Sequence, residues 1–327
     1  MTETLPAQSQ MTKPSSPQKK LWLLGIATVV VLFFALFLGP TGIPDRGILL
    51  GVRLPRVLLG LLVGCGLACS GAVFQGVLRN PLADPFILGT SSAATFGVML
   101  ANLLGWKEYY LLYFMALGCA LLSIAFVYQI AMSNGRTSVQ TVVLSGVVVS
   151  LFLNAVVFIF FSLFYRESFT ILFYLLGTLS NVDIRLVAIS GVIVAASFLV
   201  CWFFARDLNV LTQGEEVAFH LGMEVETMQR IFFVAASSMT AACVAAAGMI
   251  GFVGLVIPHM MRLIVGPDHR LLIPASALGG AIILILTDAA ARTLVPPMEI
   301  PVGALTALFG APYFLHLLKK RKTAGEF

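Results

Sequence analysis

The sequence predicts an all-α membrane protein of about ten transmembrane helices, short or broken ones among them. Three observations lead there. Hydrophobic residues make up 59% of the chain and charged residues 11%, with a mean hydropathy of +0.98, more apolar surface than a water-soluble domain can hide. That content is gathered into blocks near the roughly 20 residues that a crossing helix needs, which leaves 327 residues no space for a soluble catalytic domain. A single long polar stretch, RDLNVLTQGEEVAFHLGMEVETMQR from Arg206 to Arg230, interrupts the blocks.

Residues 1–20 are polar and contain Pro and Ser, so a disordered cytosolic tail is expected there. The following run, Leu21 to Leu38, is longer than the apolar region of a signal peptide and lacks a small-residue cleavage site; it is read as an uncleaved first span. Spans are predicted near 21–39, 54–78, 86–105, 110–131, 138–163, 184–205, 229–248, 251–265, 271–291 and 302–318, making one transmembrane domain over 21–322. Between the fifth and sixth, the segment Ser168 to Asp183 is apolar but too short and too Gly/Ser-interrupted to cross, which predicts a half-helix on the outer side. The eighth block, GFVGLVIPHMMRLIVG, is also short and contains Pro258. Such breaks at membrane depth are tolerated only where protein or a water-filled cavity covers the freed backbone. A translocation pathway is one such place.

Charge orients the chain. With the amino terminus in the cytosol, thirteen basic residues fall inside: Lys13, Lys19, Lys20, Arg79, Arg136, Arg206, Arg230, Arg262, Arg270, Lys319, Lys320, Arg321 and Lys322. Seven fall outside: Arg46, Arg53, Arg56, Lys107, Arg166, Arg185 and Arg292. That asymmetry follows the positive-inside rule and predicts two cytosolic termini.

Within the spans, Gly60, Gly64, Gly66 and Gly71, with Ala68 and Ser70 nearby, allow the close backbone approach that packs helices in lipid. Asn80-Pro81 and Asp84-Pro85 bracket a tight cytosolic turn, because the residue before a proline is pushed out of the helical region. The five cysteines lie in apolar stretches without a CxxC pair or neighbouring His and are read as small core residues, with no metal or disulfide role expected. His259 beside Pro258 invites a haem-ligand reading. No second ligand stands at a matching depth, so His259, His269, His220 and His316 are read as polar residues at helix ends.

Two polar features remain. The break from Arg206 to Arg230 carries two short helix-like pieces on either side of Gly222, a handle suited to another protein or else a solvated connecting loop. Its acids, Glu215, Glu216, Glu224 and Glu226, oppose the basic cytosolic trend, so lipid headgroups are not their partners. At the outer end, Arg53 and Arg56 are three apart and share one helix face, where they either dock a partner's carboxylates or snorkel to the membrane interface. Arg292 follows Asp288 by four residues, so it either neutralises that carboxylate within its own helix or serves another partner.

Taken together, RLPR, SGAVFQGVLRNPLADPFILG, YLLGTLSNVD, LTQGEEVAFHLGMEVETMQR, GFVGLVIPHMMRLIVGPDHRLLIP and DAAARTLVPPMEIPVGALTALFGAPYFL resemble the permease subunit of ABC importers for iron-siderophores, haem and cobalamin. The match runs in consistent order from about Arg53 to the carboxyl terminus. The resemblance implies a ten-helix subunit in a bacterial inner membrane that forms a homodimer, with two ATP-binding cassette subunits below and a soluble substrate-binding protein above. It places the ATPase contact within 206–230, on Gln213, Gly214, Glu215, Glu216, His220, Leu221, Gly222, Met223 and Glu224. Arg53, Arg56 and Arg292 would receive carboxylates of the binding protein, a role that suits the Arg fork. No cofactor and no nucleic acid is implied. An iron chelate is the first cargo expected, with haem and cobalamin next.

The alternative is an ion-coupled secondary transporter of a small organic substrate. Such carriers need intramembrane acids, and only Asp288 falls within an apolar block, with Arg292 in reach. An intramembrane enzyme lacks support, since HExxH, a Gly-framed serine and paired catalytic acids are absent from the spans. No Walker-type phosphate loop occurs in these residues, so ATP hydrolysis is expected in a partner subunit.

Overall fold

The computed structural model describes residues 16–39, 44–133, 136–137, 139–163, 168–180, 182–296 and 298–323. The tail over 1–15 and the outer Arg166 lie outside the described residues. The helices are α1 (Pro17–Phe37), α2 (Arg46–Ile48), α3 (Leu54–Val77), α4 (Thr90–Leu103), α5 (Tyr109–Ala131), α6 (Val139–Leu163) and α7 (Ser168–Leu176). They continue with α8 (Ile184–Phe203), α9 (Ala205–Leu211), α10 (Glu215–His220), α11 (Val225–Ala247), α12 (Val253–Val265), α13 (His269–Thr293) and α14 (Val302–Thr323). Among the described residues one antiparallel pairing, Met132 with Thr137 and Ser133 with Arg136, lies between α5 and α6.

All ten expected spans are helical. Among the described residues seven of them are both long and apolar enough to cross: α1, the continuous helix Arg46–Val77, α5, α6, α8, α11 and α13. The shorter ones have visible causes. The block expected at 86–105 begins as a 3-10 turn over Pro85–Leu88 and turns left-handed at Gly89 (φ 76°), so α4 starts only at Thr90. Helix α12 is 13 residues long, enters through Phe252 at φ 68° and holds Pro258 inside; at 1.5 Å per residue it covers about 20 Å, short of a bilayer core of roughly 30 Å. The half-helix expected between the fifth and sixth spans is α7, nine residues ended by Gly177 at φ 68°.

The interior is built around one helix. Over its most apolar window Arg46–Val77 is 78% buried, against 11% for α1 and 22% for α6. The outer helices therefore show apolar side chains all round, as lipid or another apolar partner demands. Glycine sets the central crossings: a Cβ at Gly64 would overlap the carbonyl oxygen of Gly280 in α13, and one at Gly71 that of Gly254 in α12. In lipid this close fit supplies the dispersion contact that hydrophobicity cannot. Beside it, Phe74 meets Phe233 of α11 with ring centroids 5.9 Å apart.

The broken backbone between α11 and α12 is covered by protein. Thr178 N–H donates to Ala247 O (2.8 Å), Met249 N–H to Tyr174 O (3.2 Å) and the Tyr174 hydroxyl to Val244 O (2.6 Å). The end of α7 and the residues just after it thus pair with the end of α11, Ala247 O among the carbonyls that the helix end would otherwise leave without a partner. Near Pro258, Gln75 Nε2 donates to Leu255 O (3.0 Å).

Candidate functional sites at the two ends of the bundle

One end gathers arginines. A π-helical turn over Leu49–Arg53 links α2 to α3 and shifts the register of the side chains that follow it. Arg53 Nη1 donates to Leu36 O (3.0 Å) and Arg292 Nη2 to Ala35 O (2.7 Å), so two cations cap the last carbonyls of α1, where the helix dipole favours positive charge. Arg56 instead meets carboxylates. Its Nε donates to Asp288 Oδ1 (2.9 Å), its Nη2 lies 2.8 Å from the same oxygen, and its Nη1 donates to Glu299 Oε1 (2.8 Å) and Oε2 (3.0 Å). Arg292 Nε stands 3.6 Å from Asp288 Oδ2. The three arginines and Asp288 are all buried.

Both readings of Arg292 meet here. It does approach Asp288 within its own helix, yet the shorter contacts to that carboxylate come from Arg56, 232 residues away. Glu299 carried no sequence signal, because it sits in a Pro-rich loop with no helical spacing to Arg56. Beside the cluster is a cleft of about 510 Å³ lined by Val52, Arg56, Tyr110, Ser180, Asp183 and Glu299, among others. Asp183 accepts from the Tyr110 hydroxyl and from Arg185 N–H, and these bonds hold its carboxyl below the usual range. Burial alone would raise the Glu299 carboxyl; the hydrogen bond and charge of Arg56, with a bond from Ser180, outweigh it and lower it.

The other end carries the polar break. Helix α9 is tied to the start of α13: Asn209 Nδ2 donates to Asp268 Oδ1 (2.8 Å), and Asn209 Oδ1 accepts from His269 N–H (2.9 Å) and lies 2.7 Å from His269 Nδ1. Asp268 also caps α13 through Arg270 N–H and binds the Arg270 side chain, which holds its carboxyl well below the usual range. We expect Asn209→Leu, which leaves the His269 N–H without its acceptor, to destabilise the chain by about 1–3 kcal/mol. Thermal denaturation of the purified protein would check it, and an unchanged midpoint would count against this tie.

Beyond α9 the chain turns at Gly214 (φ 122°) into α10. The expected pair of short helices around Gly222 is only half present: α10 precedes the glycine, but the piece after it is the first turn of the long α11. Gly222 N–H donates to Phe219 O and Met223 N–H to Ala218 O, with Gly222 at φ 83°, a Schellman ending whose left-handed residue favours glycine. Glu215 is held by Gln229 Nε2 (3.0 Å) and lies 3.8 Å from Arg79. Gln213, Glu216, His220 and Glu224 are exposed, while Gly214 and Met223 are half-buried. The tip is apolar: Phe219 is 70% and Leu221 69% exposed, with Val217 beside them. In the sequence Phe219 stands out less than the acids around it; its signal is that of a lone aromatic between two helix breaks.

Among the described residues no cluster of three or more His, Cys, Asp or Glu could hold a metal ion. The five cysteines are unpaired, and Cys69, Cys201 and Cys243 are buried among apolar neighbours. His269 is engaged by Asn209 and His220 is exposed at the end of α10.

Against known proteins, the FecCD transport family matches residues 19–320. The cobalamin import system permease protein BtuC of Halobacterium salinarum is 44% identical over 283 residues, covering 86% of this chain and 76% of that protein. The iron(3+)-hydroxamate import system permease protein FhuG of Bacillus subtilis is 34% identical over 333 residues, covering 94% of this chain and 99% of that protein. A solved structure described as an inward-facing conformation of a metal-chelate type ABC transporter superposes with a TM-score of 0.86 at 31% identity, covering 93% of this chain and 99% of that one.

Proposed function

This chain belongs to the FecCD transport family, and from that premise we propose that it is the membrane-spanning permease of a binding-protein-dependent ABC importer that carries a metal chelate into the cytosol. It is a multi-pass membrane protein. ATP is hydrolysed in two separate cassette subunits, and a soluble protein delivers the cargo at the arginine-rich end. A second copy of the chain completes the permease, and the apolar side chains that α6 and α14 leave exposed, Phe152 and Phe309 among them, offer surface for it. The membrane is the bacterial inner membrane, with both termini in the cytosol.

The observation that carries this reading is the tip of the polar break. Phe219 stands exposed on α10 and Leu221 at its end; α10 is held to α11 through Glu215 and Gln229, and α9 before it is tied to α13 through Asn209. Apolar side chains held rigidly on a polar segment mark a docking surface for protein, and an ATPase cleft is the partner that the relatives' transport class supplies. The segment from Gln213 to Glu224 is that contact. An ion-coupled carrier finds less support, since Asp288 is already shared by Arg56 and Arg292 and is not free to bind a coupling ion.

Vesicles containing the chain alone should accumulate nothing against a gradient. With both partner proteins and internal-facing ATP they should concentrate cargo, and a protonophore should leave that uptake intact; loading by the chain alone would overturn the reading. The two named relatives carry cobalamin and ferric hydroxamate, so the class carried here is a bulky metal chelate, and parallel uptake of labelled cobalamin, haem and ferric hydroxamate assigns the member. A narrower test falls on Gly222, where a Cβ meets nothing within 4 Å. Gly222→Trp should cut uptake by about tenfold or more with the dimer retained, while Gly222→Ala, which carries only the cost of the left-handed backbone, should be mild. Normal uptake by the tryptophan variant would remove the coupling role.

A further inference from the structure

Arg56 has two counter-ions, and they are not equivalent. The Asp288 side chain is 2% exposed, clamped between Arg56 and Arg292 on α13, whereas that of Glu299 is 44% exposed. Glu299 sits on the connection from α13 to α14 and reaches only the Nη1 corner of the guanidinium. Its other bond comes from Ser180 Oγ (2.9 Å), which is itself 2.7 Å from Thr178 Oγ1.

We propose that Glu299 is an exchangeable internal carboxylate: it occupies Arg56 while the permease is undocked and yields that place to a carboxylate of the binding protein. The proposal rests on the reading of this end as the docking face.

A buried guanidinium left without a counter-charge is strongly unfavourable. The free permease therefore needs an anion at Arg56, and one that can leave. Geometry divides the work. Asp288 holds Nε and Nη2 from inside, so exchange at Nη1 never strips Arg56 of charge compensation. Glu299 holds Nη1 from the cleft, where Val52 and Tyr110 also stand and where an incoming side chain has room. Asp183, the other acid on that wall, is already bound by Tyr110 and by Arg185 N–H. Arg56 and Arg292 share Asp288 and Glu299. When Glu299 swings into water a single carboxylate remains between these two guanidiniums, and the excess positive charge attracts the arriving one. The partner this site fits is a protein surface bearing an Asp or Glu able to enter the cleft and accept from a single guanidinium nitrogen.

The test measures the affinity of the system's own cargo-free binding protein for the nucleotide-free permease–ATPase complex in lipid nanodiscs. Glu299→Gln keeps the side chain's shape but removes the competing charge, so binding should tighten by about two- to fivefold, the scale of a partly exposed ion pair. Ser180→Ala, which loosens Glu299 without touching Arg56, should shift affinity the same way by less. Arg56→Gln should weaken binding. If Arg56→Gln has no effect, the docking reading itself falls and takes this proposal with it. If Arg56→Gln weakens binding while Glu299→Gln and Ser180→Ala leave it unchanged or weaker, docking stands and the exchange is overturned, Glu299 being a fixed counter-ion.

Discussion

Replacing Gly71 with leucine should leave little or no folded chain in the membrane. A Cβ there would overlap the carbonyl carbon and oxygen of Gly254, at the crossing of α3 and α12. The obstacle is backbone, which cannot rotate away as a side chain does, so α12 would have to move bodily. Overpacking into side chains costs about 1–3 kcal/mol; a clash with main chain at a central crossing exceeds that. Gly118 on α5 provides the control, since nothing lies within 4 Å of a Cβ built there, and Gly118→Leu should express normally. The comparison is read from the yield of monodisperse detergent-extracted protein. Equal yields for the two variants would refute the close-crossing account.

Removing Asp288 should be nearly as severe. Asp288→Ala takes away the carboxylate that Arg56 meets through Nε and Nη2 and that Arg292 approaches at 3.6 Å, while both arginines stay buried. Stranding a buried charge in this way costs about 3–5 kcal/mol. Asp288→Asn should lose less, because an amide oxygen can still accept from Arg56. Denaturation midpoints in a fixed detergent would rank them wild type, Asn, Ala. A midpoint for Asp288→Ala equal to wild type would mean that Glu299 alone compensates the cluster, and would undo the inner and outer division of labour described above.

The spans were legible because lipid is a uniform solvent: every residue on the outer face must be apolar, and the requirement writes itself as a contiguous run. Their edges were less so. Helix α1 begins at Pro17, four residues before the expected start, because Lys19 and Lys20 belong to its first turn and Lys20 Nζ reaches Ile264 O (2.6 Å); a lysine that snorkels reads as loop. The outer arginines were legible, and so was one of their partners. Spacing reveals the approach of Arg292 to Asp288 one turn back, but nothing local reveals that Arg56 and Glu299, 243 positions apart, share two hydrogen bonds. The glycines of α3 announced close packing without announcing their targets, Gly280 and Gly254. The break over Arg206 to Arg230 was plain as an exposed polar segment, whereas the apolar tip it presents, Phe219, was hidden among the acids.

Helix α13 has a property that neither end shows by itself. His269 is fastened to α9 through Asn209, and Asp288, nineteen positions later on the same helix, is fastened to Arg56. At 1.5 Å per residue those anchors lie about 28 Å apart, close to the thickness of the oily layer. Pro274, near the His269 anchor, is the one interior proline between them; beyond it the rod is unbroken helix, so the backbone itself links the two anchors without a chain of side-chain contacts.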